Sequence, residues 1–373
     1  MGALRRWGRL LQTGRRAGLL SLEGADLRGL VAALLEGGAG VRGLHTLHAA
    51  RSGQRLALVD ARRSLDYAQA DAEIEAIASA LRDHAGASRR APVAVMMENR
   101  VEYAVLWFAL FRLGIPCVHL SRYGTPEEAT ELLRRSGAGV LVVSQHTEAT
   151  ATAVLDALPL LRVVDVDGDG PLGWTALRQR GASRRARASP GPSHNVVYTS
   201  GTTGRPKGAV RNFGAFGVRT LLEILERLPL HSGDRHLVVA PLYHSGAQVF
   251  ALLNAALGST LVLQDKFDAE QTLRWLHEQR IDTTFMVPTM VRRLLELPEA
   301  AFAAHPPQLR ALVSGAAPFL DPLRRRAIAR FGAHAVFDFY GATELGWVTL
   351  VSGPEMLERP GTLGRSISGQ EIA

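Results

Sequence analysis

From residue 56 onward, short runs rich in Val, Ile and Leu alternate with stretches whose apolar residues recur at helical spacing. The apolar runs predict strands at Leu56–Val59, Pro92–Met97, Cys117–Leu120, Gly139–Ser144, Leu161–Val166, Val196–Tyr198, His236–Ala240, Thr260–Leu263, Thr283–Val287, Leu309–Ser314 and Ala335–Phe339. Helical period marks Arg100–Leu113, Pro126–Arg135, Ala269–Gln279 and Pro322–Phe331. Pro126, followed by Glu127 and Glu128, makes a good helix start. Proline there lacks only an orphan donor, and acids favour the positive end of the helix dipole. Alternation of this kind predicts an α/β fold, with mostly parallel sheets covered by helices on both faces. The Gly/Ser/Arg-rich stretch Gly181–Pro192 is the clearest seam. It predicts a first α/β subdomain at 46–180, a mobile loop at 181–195 and a second subdomain at 196–373, after a basic leader at 1–45.

Composition narrows the class. Apolar residues make up 47% and charged residues 21% of the 373, which excludes a disordered or collagen-like chain. A single cysteine, Cys117, excludes an intramolecular disulfide. The best apolar run, Val105–Leu120, is interrupted by Arg112, Gly114 and Pro116, so no transmembrane helix is expected. The formal charge of +8 suggests nucleic acid, yet only Lys207 and Lys266 among the 43 basic residues are lysines, and the arginines are dispersed. Nucleic acid is therefore not expected as a partner.

The leader has several readings. Met1–Leu22 holds no acidic residue, and Leu4, Trp7 and Leu11 share one helical face away from Arg5, Arg9 and Arg16. A helix lying on an anionic membrane surface has this pattern, as does an organellar transit peptide. An amphipathic helix packed on the protein itself has it too. No apolar core precedes a small-residue cleavage site, which argues against a secretory signal. The expected location is cytoplasmic, with peripheral membrane contact through residues 1–22 as the alternative.

The chemistry follows the strand Val196–Tyr198. Thr199-Ser200-Gly201-Thr202-Thr203-Gly204-Arg205-Pro206-Lys207-Gly208 packs four hydroxyl residues and three glycines into ten positions, with a lysine near the end. Glycines let backbone N–H groups approach a ligand, hydroxyls add donors, and the lysine adds a mobile point charge. Such a segment makes a polyphosphate cradle. It is not a GxxxxGK[ST] loop, since Lys207 is followed by Gly208.

This decapeptide resembles the TSGTTGxPKG signature of the adenylate-forming superfamily, which includes acyl- and aryl-CoA synthetases, luciferases and peptide-synthetase adenylation domains. Pro241–Gly246 resembles that family's PLxHxxG segment, Ser314–Pro318 its SGGAP-like turn, and Asp338–Glu344 its xxYGxTE motif. Gly361–Arg365 is similar to its GTxGxP segment, with Ser366 in place of proline. The resemblance runs from about residue 45 to the last residue.

It implies an acyl-adenylate-forming large domain of two subdomains, with a small distorted β-barrel. The implied reaction is attack of a carboxylate on the α-phosphorus of ATP, which releases pyrophosphate. Thr199, Ser200, Gly201, Thr202, Thr203, Gly204 and Lys207 would hold the β- and γ-phosphates. Glu344 would bind Mg²⁺ and Thr343 would contact the α-phosphate, which makes Lys207, Thr343 and Glu344 the implied catalytic residues. Gly315, Ala316, Ala317 and Gly341 would border the adenine, Tyr340 would stack on it, and Asp338 would accept from its amino group. His244, Gly246 and Gly315 would line the acyl side. No acid lies in His244–Phe250 to meet a substrate amine, and Val249–Leu257 is apolar. A medium- or long-chain fatty acid is therefore expected, with an aryl acid or an acyl-AMP ligase as alternatives. The family's ribose-binding TGD motif and C-terminal lid with its catalytic lysine are not found before Ala373. The expectation is a chain lacking the lid, weak alone, with CoA as second substrate only in the complete enzyme. A catalytically incomplete nucleotide- or acyl-binding module is the other reading.

Overall fold

The computed structural model describes residues 12–18, 43–182, 194–199, 207–212, 218–342 and 346–367. The chain divides into two compact units. One comprises Glu23–Ala215 and Leu242–His244, the other Met1–Leu22, Phe216–Pro241 and Ser245–Ala373.

In the unit built on Glu23–Ala215, β1 (Leu56–Val59) and β2 (Ser64–Asp66) pair as an antiparallel hairpin. Then come β3 (Val93–Met96), β4 (Cys117–His119), β5 (Val140–Val143), β6 (Arg162–Asp165), β7 (His194–Thr199) and β8 (Lys207–Asn212). Their order is β6-β5-β3-β4-β7-β8, parallel throughout except for the antiparallel β7–β8 pair. β3 and β5 are wholly apolar and wholly buried, as strands covered on both faces must be. The helix Pro126–Ser136 starts as its sequence predicts. Glu128 N donates to Thr125 Oγ1 at 3.2 Å, and Thr125 N donates to Glu128 Oε2 at 3.1 Å. Its buried Ala129 and Leu133 join a core with Ala94, Met96, Val118, Leu141 and Val143.

Most of the interrupted apolar run Val105–Leu120 becomes part of the helix Val101–Leu113, buried along its whole length. A helix apolar on all sides belongs in an interior. Its one strong base, Arg112, reaches Asp71 at 2.5 Å and Glu75 at 2.6 Å, and Gly114 ends it at φ 65. Beyond the carboxyl ends of β3 and β5, Glu98, Arg100 and Ser144 form a buried ionic cluster. Ser144 Oγ donates to Glu98 Oε2 at 2.6 Å, and Arg100 meets Glu102 at 2.6 Å and Asp167 at 2.9 Å.

In the other unit, β9 (Arg235–Val238), β10 (Thr260–Leu263), β11 (Thr283–Met286), β12 (Ala311–Gly315) and β13 (Val336–Ala342) are parallel, in the order β13-β12-β11-β9-β10. β14 (Gly346–Ser352) and β15 (Arg365–Ser366) extend the β13 side with antiparallel pairs. The strand orders are open, with no closed barrel among the described strands.

One expectation shifts. The seam at 181–195 does not separate the units, because β7 pairs with β4 and carries β8 back to the first sheet. In chain order the units change at 22–23, 215–216, 241–242 and 244–245. Residues 183–193 of the expected mobile loop lie outside the described residues. Of the leader, residues 12–16 are helical, with Thr13 and Ala17 each 3% exposed, and Ser232 N donates to Ala17 O at 2.7 Å. This stretch packs on its own unit, whereas Leu4, Trp7 and Leu11 lie outside the described residues. Among the described residues, no helix is long and apolar enough to cross a membrane.

Candidate functional site

The cradle segment begins and ends as paired strand. Thr199 closes β7 and faces Lys207, the first residue of β8, across the antiparallel ladder. Ser200, Gly201, Thr202, Thr203 and Gly204 lie outside the described residues, as do Thr343 and Glu344, and the side chains of Thr199 and Lys207 are likewise not described.

β7 is seated by a buried polar chain that sequence reasoning missed. Trp107 Nε1 donates to Asn195 Oδ1 at 2.9 Å, and His119 Nε2 lies 3.3 Å from the same oxygen. His119 Nδ1 is 2.8 Å from the Tyr103 hydroxyl. Burial pushes the His119 imidazole down to about 4, so the ring is neutral. A tautomer with hydrogen on Nε2 satisfies every contact: it donates to Asn195 and accepts from Tyr103.

In the same unit, Leu242 N donates to Asn99 Oδ1 at 2.9 Å and so holds Leu242–His244, the middle of the Pro241–Gly246 motif. His244 lies 4.5 Å, ring to ring, from Tyr243. Burial lowers the His244 imidazole below its ordinary value and raises the Tyr243 phenol, although Ser121 hydrogen-bonds the latter.

The second unit holds the other motifs at the carboxyl ends of adjacent parallel strands, where α/β sheets receive ligands. Ser314 is in register with Asp338 and Gly315 with Phe339. A Cβ on Gly315 would stand 2.4 Å from the Phe339 ring and 2.7 Å from its carbonyl oxygen, so the motif glycine is a packing requirement. Ala316 follows in a left-handed turn at φ 64, a strained conformation for any residue with a Cβ, and both Ala316 and Ala317 are exposed. Tyr340 is 49% exposed, and a bulge separates it from Gly341. The ladder thus brings Gly315, Ala316, Ala317, Asp338, Tyr340 and Gly341 to one strand end. An exposed aromatic face beside a carboxylate and a small-residue turn suits a flat heterocycle that carries an amino group.

Asp338 is buried, and its Oδ2 accepts from Arg324 Nη2 at 2.5 Å. Burial raises its carboxyl to about 6, against the opposing pull of Arg324. Arg324 gave no sequence signal. It sits in a run of three arginines of which it alone is buried, and its partner is 14 residues away.

Gly246 opens the helix Ser245–Ala256, where a Cβ would meet the Phe285 ring at 3.0 Å. Phe285 stacks on Phe250 at 4.9 Å, and Phe339 and Trp347 each lie within 5.4 Å of Phe250. These aromatics were not read as site residues, because single strand and helix positions do not announce a shared cluster. No group of three metal-ligating side chains occurs among the described residues. Glu344, the one carboxylate the motif offers a cation, lies outside the described residues.

Comparison with known proteins agrees with these motifs. The model of the family described as AMP-binding enzyme matches residues 46–373. The indoleacetate–CoA ligase of Aromatoleum aromaticum is 32% identical over 314 residues, covering 82% of this chain and 60% of that protein. The long-chain-fatty-acid–CoA ligase FadD13 of Mycobacterium tuberculosis is 27% identical over 325 residues, with 83% and 62% covered. The chain therefore spans about three-fifths of the length of these curated relatives. Among solved structures, the anthranilate CoA ligase AuaEII in complex with anthranoyl-AMP superposes with a TM-score of 0.79 at 22% identity, over 88% of this chain and 64% of that one. The N-terminal domain of FACL13 from Mycobacterium tuberculosis gives 0.73 at 23%, over 88% and 83%. Both likenesses show the mostly parallel, helix-covered α/β fold.

Proposed function

We propose, for a chain that belongs to the AMP-binding enzymes, that it activates a carboxylic acid with ATP as the first half of an acid–CoA ligase reaction. A substrate carboxylate oxygen bonds to the α-phosphorus, the bond from that phosphorus to the bridging oxygen breaks, and pyrophosphate leaves with the electron pair. Positioning and charge stabilisation dominate such a step. The observation that carries the reading is the β12–β13 register, which joins the turn Ser314–Pro318 to Asp338 and Tyr340 at one strand end. Tyr340 stacks on the adenine, Gly315, Ala316, Ala317 and Gly341 border it, and Asp338 accepts from its amino group. Residues 199–204 and Lys207 hold the β- and γ-phosphates, Thr343 meets the α-phosphate, and His244 and Gly246 border the acid. Glu344 would hold Mg²⁺ together with phosphate oxygens, and the bound ion supplies charge neutralisation. CoA is the thiol acceptor of the completed reaction.

The absence of an acid in His244–Phe250 and the apolar helix Ser245–Ala256 favour an acid without a substrate amine, and a medium- or long-chain fatty acid fits both. The Phe250–Phe285 stack beside Gly246 favours a second reading, an aryl acid. The relatives span both classes, among them indoleacetate–CoA ligase and long-chain-fatty-acid–CoA ligase.

The test is acid-dependent exchange of pyrophosphate into ATP, run with fatty and aryl acids on the chain alone and joined to a family C-terminal lobe. Exchange should appear with one class and fall about a hundredfold or more in Lys207→Ala and Glu344→Ala. No exchange with any acid, even in the joined protein, refutes the enzyme. If ATP then still raises the thermal midpoint, the chain is a binding module.

A further inference from the structure

Arg324 lies in the first turns of the helix Asp321–Phe331, with its side chain 4% exposed. Its guanidinium leaves the helix in two directions. Nη2 donates to Asp338 Oδ2 at 2.5 Å, and Nη1 donates to the Thr362 carbonyl oxygen at 3.0 Å. One buried cation therefore ties β13, two residues before Tyr340, to the loop Gly361–Gly364. That loop is held closely in turn: Gly361 N donates to Asp321 Oδ1 at 3.3 Å, and a Cβ on Gly364 would stand 2.1 Å from the Leu350 carbonyl oxygen.

A buried ion pair is poor evidence of stabilisation, because desolvation offsets most of its attraction. What the pair does supply is orientation. Arg324 Nη2 engages Asp338 Oδ2, which restrains the rotation of the carboxylate. A carboxylate has about four acceptor sites, so acceptor capacity remains. Two further buried polar atoms near this strand end lack partners. Ser314 Oγ, in register with Asp338, and Thr349 Oγ1, in register with Tyr340, are both buried and make no hydrogen bond. In-register neighbours share a sheet face, as do residues two apart on one strand. Unsatisfied buried hydroxyls on one face are uncommon and are usually completed by a ligand or water.

We propose that Arg324 is a positioning residue for base recognition: by holding the Asp338 carboxylate against the Thr362 carbonyl, it sets the enzyme's preference for a 6-amino over a 6-oxo purine nucleotide. The inference rests on the nucleotide reading above and adds what orients the base acceptor. A fixed acceptor-only group accepts from the exocyclic amino group and repels a carbonyl at the same place. A carboxylate free to swing loses that contrast.

The experiment is equilibrium binding of ATP, inosine triphosphate and pyrophosphate to the 373-residue chain, as wild type and as Arg324→Gln, Arg324→Lys, Asp338→Asn and Lys207→Ala. Wild type should prefer ATP to inosine triphosphate by about tenfold or more, the worth of one charge-assisted hydrogen bond. Arg324→Gln should erase most of that ratio while pyrophosphate affinity stays within about twofold. Arg324→Lys keeps the charge without the two-pronged reach and should fall between. A purely structural role would weaken all three ligands in parallel, and that result overturns the proposal, as does an unchanged ratio in a folded Arg324→Gln. If Arg324→Gln fails to fold, Asp338→Asn interrogates the contact from its other end and must show the same loss of ratio. If wild type binds no ATP, the nucleotide reading itself fails. If ATP binds and Lys207→Ala weakens it while the ratio ignores Arg324 and Asp338, only the present proposal fails.

Discussion

Replacing Gly315 by alanine tests the packing at the end of β12. The added Cβ would stand 2.4 Å from both Phe339 Cδ1 and Cε1 and 2.7 Å from the Phe339 carbonyl oxygen. Carbon atoms pack best at about 3.5–4.0 Å, so the ring must retreat by roughly 1 Å or more. It has little room, because Phe250, Phe285 and Trp347 surround it with ring centroids at 5.4, 5.6 and 5.4 Å. The carbonyl belongs to a strand paired on both sides and cannot retreat alone. Overpacking of this kind costs about 1–3 kcal/mol. The backbone clash puts Gly315→Ala near the upper end, about 3 kcal/mol. Urea denaturation followed by tryptophan fluorescence reads the cost as a lower midpoint at constant slope. Phe339→Leu removes the offending ring edge, so the double variant should be less destabilised than the sum of the singles by at least about 1 kcal/mol. A Gly315→Ala chain within about 0.5 kcal/mol of wild type, or a strictly additive double variant, would refute the packing argument.

Trp107→Phe removes the donor to Asn195 and should cost about 1–3 kcal/mol in the same urea assay; an unchanged midpoint would show that β7 is seated otherwise. Glu98→Ala leaves the buried Ser144 hydroxyl without its acceptor and takes one of three carboxylate partners from Arg100, and should cost about 1–3 kcal/mol, measured by the same denaturation. Asp338 has the opposite pH signature to an ordinary paired acid. Its folded value, about 6, lies above the ordinary carboxyl value of 3.8, so its ionisation, with Arg324 and Asp321 as the nearby charges, costs stability that returns as the pH falls from 6 towards 4. Wild type should thus lose about 2 kcal/mol relative to Asp338→Asn between pH 4 and 7, and a flat difference would contradict the burial argument. Cys117 is 1% exposed and burial raises its thiol, so Ellman's reagent should label it only on unfolding; rapid labelling of the native chain would count against that burial.

The fold was legible where apolar runs are short and cleanly bounded. Leu56–Val59 and Thr260–Leu263 are strands over the very residues their pattern marks. Pro92–Met97 contracts to Val93–Met96 because ladder pairing, which no periodicity reveals, sets strand ends. β8 was hidden because it begins inside the cradle motif at Lys207 and exists through its pairing with β7. That long-range pairing also keeps β7 and β8 in the unit of β4, so 181–195 is not where the units divide. At the site, motif spacing marked Gly315, Asp338 and Tyr340, and the register of β12 and β13 unites them. Their supports, Arg324 and Phe285, come from helix and strand positions distant in sequence, where an arginine beside two arginines and a lone phenylalanine carry no local cue.

The hydrogen-bond chain beneath β7 contains no charged member, since Trp107, Asn195 and Tyr103 are neutral and His119 titrates only near 4. Dissolved ions weaken charge–charge attractions and leave buried neutral hydrogen bonds almost untouched. The strand that delivers Thr199 should therefore sit equally well in dilute buffer and in concentrated salt. An ionic-strength dependence of nucleotide binding would then report the ligand's own phosphates meeting cationic side chains, and not a loosening of the strand that carries the cradle.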